Sequence, residues 1–413
     1  MQPAVFQELG AAEFERLMRP LGPWEGLGRL AVAVSGGADS LCLALLAQRW
    51  TTARGAGCLG LIVDHGLRDG SADEAQATVH RLRRIGVASR VLRLHGLQRG
   101  PALAARARAA RYDALTRACR QQGIVDLLVA HHAGDQAETA LMRQRAGSGP
   151  DGLAAMAQLV ETSALRLLRP LLGVAPERLR ATLRDAGCDW IEDPSNQDAA
   201  ALRTRLRREL DGAEPGRRPT LLREVAAAGA ARMARQQDQA RQLARLAELR
   251  PQGFALLPPC LLGPQTLGPL IRTVAGAAHA PPMRAIAALV RRPRAATLGG
   301  ARLLPAGRLG PGWLLVREAN AMQPPVAAAD GVLWDGRFRL HAPGVTLPPG
   351  ARVGAARGRR TAEPSEARLP AVVLAAMPCL YDDAGAAIAL PGGAGFAFEP
   401  DAAASQAAAF GGP

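Results

Sequence analysis

Between Leu30 and Trp190 the apolar positions alternate between two rhythms. Four short apolar runs, Leu30–Val34, Leu59–Val63, Arg90–Leu94 and Val125–Ala130, have the length of buried strands. Between them, Leu41–Arg49, Ser71–Ile85 and Pro101–Gln121 place apolar residues at helical spacing. Strands alternating with helices predict an α/β fold: a doubly wound parallel sheet with helices on both faces. Such sheets bind ligands at the carboxyl ends of their strands, where the loops after Val34, Val63 and Ala130 gather. The rhythm changes after Leu210. Asp211–Pro219, rich in Gly, Pro and Arg, reads as a linker, and Thr220 to about Arg250 reads as helix. Pro281-Pro282 breaks the mixed stretch that runs to Val316. From Gly331 onward, short runs such as Val332–Leu340 and Pro370–Ala376 predict a small, partly β domain. The expected division is a first domain over 1–212, a mainly helical middle domain over 213–325, a small mixed or β domain over 326–400, and a disordered Ala- and Gly-rich tail over 401–413.

Composition adds a partner. The 413 residues carry 51 basic and 36 acidic side chains, a formal net charge of +15, and every basic residue is arginine. A GC-rich coding preference accounts for the missing lysine but not for the charge imbalance. The surplus points to a polyanion, nucleic acid first, and the planar guanidinium suits phosphate. Aromatics are only 3%, so Ala, Leu and Val must build the cores. The six cysteines are too scattered for a Cys-x-x-Cys zinc or iron–sulfur pattern and read as reduced thiols. Residues 1–22 lack the charge pattern of a signal peptide, and no apolar stretch has the length of a membrane span. A cytoplasmic protein without a membrane partner is expected.

The candidate chemistry starts at Ser35-Gly36-Gly37-Ala38-Asp39-Ser40, directly after a strand. Two glycines clear side chains from backbone N–H groups, two serines add hydroxyl donors, and a helix follows with its positive dipole end at the same point. This loop is built for phosphate, yet it lacks the Gly-Lys-Ser/Thr ending of a Walker A loop. A second loop, Val63-Asp64-His65-Gly66-Leu67-Arg68, places a carboxylate at a strand end, where it can hold a ribose hydroxyl or a metal ion, or cap a neighbouring helix. A third, Ala130-His131-His132-Ala133-Gly134-Asp135-Gln136-Ala137-Glu138, sets Asp135 and Glu138 on one helix face beside two histidines. These groups serve acid–base work or magnesium binding, although carboxylates in a first turn also compensate the helix dipole and His131 reads equally as a packed ring. Arg108 and Arg111 share a helix face and can clamp phosphate, or form a solvated basic face. Arg145–Leu153 is a glycine loop that either closes over the site or merely links two helices.

Ser35–Ser40 resembles the pyrophosphate loop of N-type PP-loop ATPases, which split ATP into AMP and pyrophosphate. Together with Val63–Arg68, Arg108–Tyr112, Arg169-Pro170-Leu171-Leu172 and Trp190–Asn196, it resembles the tRNA(Ile)-lysidine synthetase family. Thr297–Gly300 and Arg317-Glu318 extend the likeness into the middle of the chain. The resemblance implies an adenine nucleotide alpha hydrolase-like sheet and an ATP-dependent carbon–nitrogen ligase. Its substrates would be ATP with Mg²⁺, free L-lysine, and a tRNA(Ile) with a CAU anticodon. In the implied reaction the carbon-2 oxygen of the first anticodon cytidine attacks the α-phosphate, pyrophosphate leaves, and the lysine ε-amine then displaces AMP from carbon-2.

On this resemblance Ser35, Gly36, Gly37, Ala38, Asp39, Ser40, Asp64 and His65 bind ATP. Asp39 and Asp135 hold the metal, while Asp39, Arg111, His132, Asp135 and Glu138 form the catalytic set. Arg203, Arg205, Arg207 and Arg208 contact tRNA, with Arg217 and Arg218 close by. Oligomeric state stays open, with a homodimer as one option. The chain departs from the family at Gly134, where a second aspartate is usual, at Thr204, where an asparagine is usual, and at Ala146, where an arginine is usual. The alternatives are a PP-loop tRNA thiolase, whose iron–sulfur forms need clustered cysteines, and a PP-loop protein that binds RNA without catalysis, which Gly134 favours.

Overall fold

The computed structural model describes residues 6–67, 70–97, 100, 102–162, 164–192, 202–212, 216–357, 368–389 and 395–400. The described residues divide into two compact units, one up to residue 234 and one from residue 235 onward.

The first unit is built on β1 (Arg29–Val34), β2 (Gly57–Asp64), β3 (Ala88–Arg93), β4 (Asp126–Leu128), β5 (Leu159–Glu161) and β6 (Arg166–Leu168), in the order β3-β2-β1-β4-β6-β5. All neighbours are parallel except β5, which runs antiparallel to β6 at the edge. The expected doubly wound sheet is therefore present, with one reversed edge strand. Period-two alternation sorts β1 between two cores. Leu30, Val32 and Val34 pack with α2 (Ala38–Thr52) and α7 (Pro176–Asp185), while Ala31 and Ala33 pack with Leu115 and Ala118 of α4 (Leu103–Gln121). The order reverses between β1 and β4, so the loops that leave them diverge and open a crevice at the carboxyl edge.

Helix α3 (Ser71–Arg84) joins β2 to β3, and α5 (Ala133–Arg145) follows β4. A small core of Ala137, Ala140 and Leu141 from α5, Leu206 and Leu210 from α8 (Leu202–Asp211), and Leu221 and Val225 from α9 (Arg217–Leu246) holds these three helices together. The expected linker is shorter than its composition suggested. Arg217–Pro219 already belong to α9, because Pro is tolerated in a first helical turn.

The second unit contains helices and, where a mainly helical stretch was expected, also a five-stranded sheet. Strands β7 (Glu248–Arg250), β8 (Phe254–Leu257), β9 (Ala296–Leu298), β10 (Ala301–Pro305) and β11 (Trp313–Arg317) run in the order β7-β8-β11-β10-β9. Gly299 and Gly300, with φ of +60° and +81°, form the two-residue hairpin between β9 and β10. Their sequence carried that signal, but the strands beside them are too short for periodicity to register. Beyond residue 325 lie two small antiparallel sheets of four and three strands. Asp335 is fully buried there and bridges Arg317 and Arg337, each at 2.8 Å.

Candidate active site

β1 delivers its last residue, Val34, to the crevice, and Ser35–Gly37 turn the chain into α2. Ser40 Oγ organises that turn. It accepts the Ser35 N–H at 3.1 Å, lies 3.1 Å from Ser35 Oγ, and donates to the Gly37 carbonyl at 3.0 Å. Gly36 has φ +89°, and a Cβ there would stand 2.5 Å from Thr78 Oγ1. Its carbonyl accepts the Ile191 N–H at 3.0 Å, so the Trp190-Ile191 segment pins the loop from outside. The first amides of α2 lack intrahelical acceptors and supply the anion-binding end of the helix.

Beside the loop is a cavity of about 550 Å³, lined by Ser35, Asp64, His65, Ser71, Thr78 and Arg111 among others. Asp64 Oδ1 accepts from the Gly66 N–H at 3.0 Å and the Ser71 hydroxyl at 2.8 Å, so this oxygen shapes its own loop. His65 Nδ1 is buried without a partner. Burial lowers the His65 pKa, the Arg111 charge adds to that, and Asp64 opposes it, leaving a neutral ring. Arg111 is also largely buried. That burial presses its pKa below the usual arginine value, with Tyr112 opposing and Arg108 reinforcing. A buried guanidinium facing a cavity is a costly cation that an anion relieves. Arg68 and Asp193–Asn196 lie outside the described residues.

The loop after β4 supplies further candidate residues at the same carboxyl edge. His132 caps α5: its Nδ1 accepts the Gly134 N–H at 3.0 Å, and its own N–H donates to Asp135 Oδ2 at 3.0 Å. A Cβ at residue 134 would stand 2.8 Å from His132 Cε1, so Gly134 makes room for this ring position. His132 Nε2 then lies 3.5 Å from Asp39 Oδ2 and 3.6 Å from Asp135 Oδ2. Burial opposes the imidazolium, but the bond to Asp39 and the charges of Asp135 and Asp39 outweigh it, and the His132 pKa rises. Three of the predicted residues, from the ends of two different strands, thus meet at one point.

Asp39 Oδ1 is buried and has no partner. Among the described residues no three His, Cys, Asp or Glu side chains form a metal cage. Magnesium, however, commonly uses one or two carboxylates and completes its shell with substrate phosphates and water. Asp39, beside the phosphate-shaped loop, fits that donor set.

Glu138 is buried one turn farther along α5. Its Oε1 accepts from Arg207 Nε at 2.9 Å and Nη2 at 2.8 Å, while Oε2 is buried without a partner. Arg207 was expected as an RNA contact, and here one edge of its guanidinium is committed to the predicted catalytic carboxylate. Arg205 and Arg208 are exposed on the outer face of α8, whose Leu206 and Leu210 pack inward. Arg203 lies on the same helix, and its side chain is outside the described residues. Arg145, next to the glycine loop, pairs with Glu209. The Gln136 side chain bonds the Met156 backbone twice, at 3.1 and 2.9 Å, and ties α5 to the segment beyond that loop.

Two contacts were not visible in the sequence. Arg169, from the Arg-Pro-Leu-Leu segment, is buried and donates from Nε to His131 Nδ1 at 3.2 Å. Ile191 fixes Gly36. Both pairs are far apart in the chain, and only the presence of each segment could have been noticed.

Residues 9–213 match the PP-loop domain family, so the fold and the phosphate-shaped loop define a PP-loop protein. Curated relatives narrow this further. The chain is similar to the tRNA(Ile)-lysidine synthase of Ruegeria pomeroyi, 35% identical over 86% of this chain and 87% of that one. It is 36% identical to that of Mesorhizobium japonicum over 84% of this chain and 81% of that one. It is 41% identical to that of a Bradyrhizobium species over 60% of this chain and 75% of that one. The chain belongs to the tRNA(Ile)-lysidine synthase family. Among the described residues no helix is long and apolar enough to cross a membrane.

Proposed function

We propose that this chain is an ATP-dependent ligase that joins L-lysine to carbon-2 of the cytidine at the first anticodon position of a tRNA(Ile) bearing CAU. The observation that carries the reading is the meeting of the Ser35–Ser40 loop, Asp39, His132 and Asp135 at the switch point between β1 and β4. Pyrophosphate leaves from donors on Ser35, Gly36, Gly37, Ser40 and the first amides of α2. The adenosine lies in the cavity beside Asp64 and His65. Arg111 neutralises charge on the α-phosphate as the cytosine oxygen attacks, and its partial burial strengthens that interaction. Asp39, with Asp135, would hold Mg²⁺, which supplies Lewis-acid polarisation of phosphoryl oxygens.

In the second step the ε-amine must arrive and lose a proton before it displaces AMP. Glu138 has one oxygen fixed by Arg207 and one without a partner, which suits both recognising an ammonium and accepting its proton. His132, bracketed by two carboxylates, orients Asp39 and Asp135 toward the same point. The exposed Arg205 and Arg208 are free of the α8 packing face and would contact the tRNA backbone. With labelled ATP and a tRNA(Ile) transcript, the chain releases pyrophosphate only when the tRNA is present. Asp39→Ala lowers that release by about 100-fold or more while the protein stays folded by circular dichroism. Release at the unsubstituted rate removes Asp39 from the reaction.

A further inference from the structure

His131 stands beside His132 and bonds a different partner. It follows β4 at the carboxyl edge of the sheet, and among the described residues its ring accepts a bond from Arg169 Nε at 3.2 Å. The direction of that bond is forced. A guanidinium has donors and no acceptor, and it stays charged in proteins, so His131 Nδ1 must offer its lone pair. A neutral imidazole with Nδ1 as acceptor carries its hydrogen on Nε2, which lies on the far side of the ring from Arg169. Arg169 is itself fixed: it is 7% exposed, Nη1 donates to the Ala157 carbonyl at 2.7 Å, and it engages Tyr112.

The surroundings say what that hydrogen can meet. The charges that act on His131 are Asp135 on one side and Arg169, Arg108 and Arg111 on the other. Burial and the three arginines hold the ring neutral against the single carboxylate. Neither Arg108 nor Arg111 has a carboxylate ion-pair partner among the described residues; Arg108 lies over the Tyr112 ring instead, 5.1 Å from its centroid. A ring with one neutral N–H donor, acted on by more guanidinium than carboxylate charge, is matched to an anionic oxygen acceptor.

We propose that His131, locked by Arg169 as the Nε2–H tautomer, contacts substrate directly and donates a hydrogen bond to a phosphoryl oxygen. Arg169 is then a positioning residue. Two phosphates qualify, the α-phosphate of the nucleotide and a backbone phosphate of the bound RNA, and naming either one rests on the function proposed above.

The test uses the full chain with ¹⁵N-labelled histidine. Long-range ¹⁵N–¹H spectra at pH 7.5, assigned by loss of one signal set in His131→Gln, show the Nε2–H pattern for His131. ATP added without tRNA shifts that signal if the nucleotide phosphate is the acceptor. A tRNA(Ile) transcript added without ATP shifts it if the RNA phosphate is. An Nδ1–H pattern, or no shift with either ligand, overturns the proposal. Arg169→Gln, whose amide can both donate and accept, brings a mixture of tautomers; an unchanged pure Nε2–H pattern removes Arg169 from its positioning role. A kinetic arm separates contact from packing. His131→Gln keeps an N–H near the Nε2 position and stays within about 10-fold of the original kcat, whereas His131→Leu loses about 100-fold in kcat with KM little changed. Equal losses in the two variants contradict a donor role. The spectra need no turnover, so a chain that makes no lysidine yet shows the tautomer and the phosphate shift loses only the proposed function.

Discussion

At the scale of single residues, the site depends on groups whose freedom has been removed. Gly36 is the clearest case. Its φ of +89° is reached without strain only by glycine, and a Cβ would meet Thr78 Oγ1 at 2.5 Å and Ile191 Cδ1 at 3.1 Å. Gly36→Ala should cost about 1–3 kcal/mol in stability and more in function, because relieving the clash moves the Ile191 clasp and the amides of the loop. Thermal unfolding and nucleotide titration check this. An alanine variant that binds ATP as tightly as the parent would mean that the loop does not need its shape. Gly134 works by a different route, since it admits the His132 ring between Asp39 and Asp135. The Ser-Gly-Gly-x-Asp-Ser pattern announced the loop because chemistry and backbone conformation coincide within six residues. The His131–Arg169 bond was not legible, because its partners are 38 residues apart and only the pairing of β4 with β6 brings them together.

At the scale of elements, α8 has two roles that its arginine-rich sequence runs together. Leu206 and Leu210 seat it against α5, Arg207 reaches inward to Glu138, and Arg205 and Arg208 face outward. Replacing Arg205 and Arg208 by alanine should weaken tRNA binding, flatten the slope of log affinity against log salt by about 2, and leave ATP binding alone. Replacing Arg207 should act differently. It leaves the Glu138 carboxylate buried without its donors, at a cost of about 1–3 kcal/mol. Filter binding over a salt series and urea unfolding separate the two effects. If Arg207→Ala leaves stability unchanged and alters only the salt slope, the Glu138 pairing is not a native contact. The first four strands of the first sheet and their helices were legible because apolar runs of strand length alternate with helices long enough to show their period. The sheet of the second unit was not, because three- to five-residue strands give periodicity too few repeats to act on.

At the scale of the whole molecule, charge and burial make separate predictions. The +15 charge favours capture of a polyanion and makes it salt-sensitive. Burial governs the thiols. It pushes the pKa of Cys42 and Cys58 up to about 12 and that of Cys119 to about 11, whereas Cys260 is exposed. A raised thiol pKa keeps the unreactive protonated form through neutral and mildly alkaline pH. At pH 8 the folded chain should therefore be alkylated quickly at Cys260 and slowly at Cys42, Cys58 and Cys119, and all six should react in denaturant. Peptide mass mapping of a time course reads this directly, and early labelling of Cys42 or Cys58 would contradict the packing around β1 and α2.

The central claim is that the β1–β4 crevice activates a cytosine oxygen with ATP so that an amine can take its place. The most direct measurement is mass spectrometry of the nucleosides from a CAU-bearing tRNA(Ile) transcript incubated with the chain, ATP and L-lysine. The account predicts that one cytidine per tRNA is converted to a lysine adduct of cytidine less one water, and that the product disappears when ATP or lysine is omitted. An unmodified cytidine under conditions where the chain binds both ATP and the transcript would contradict it.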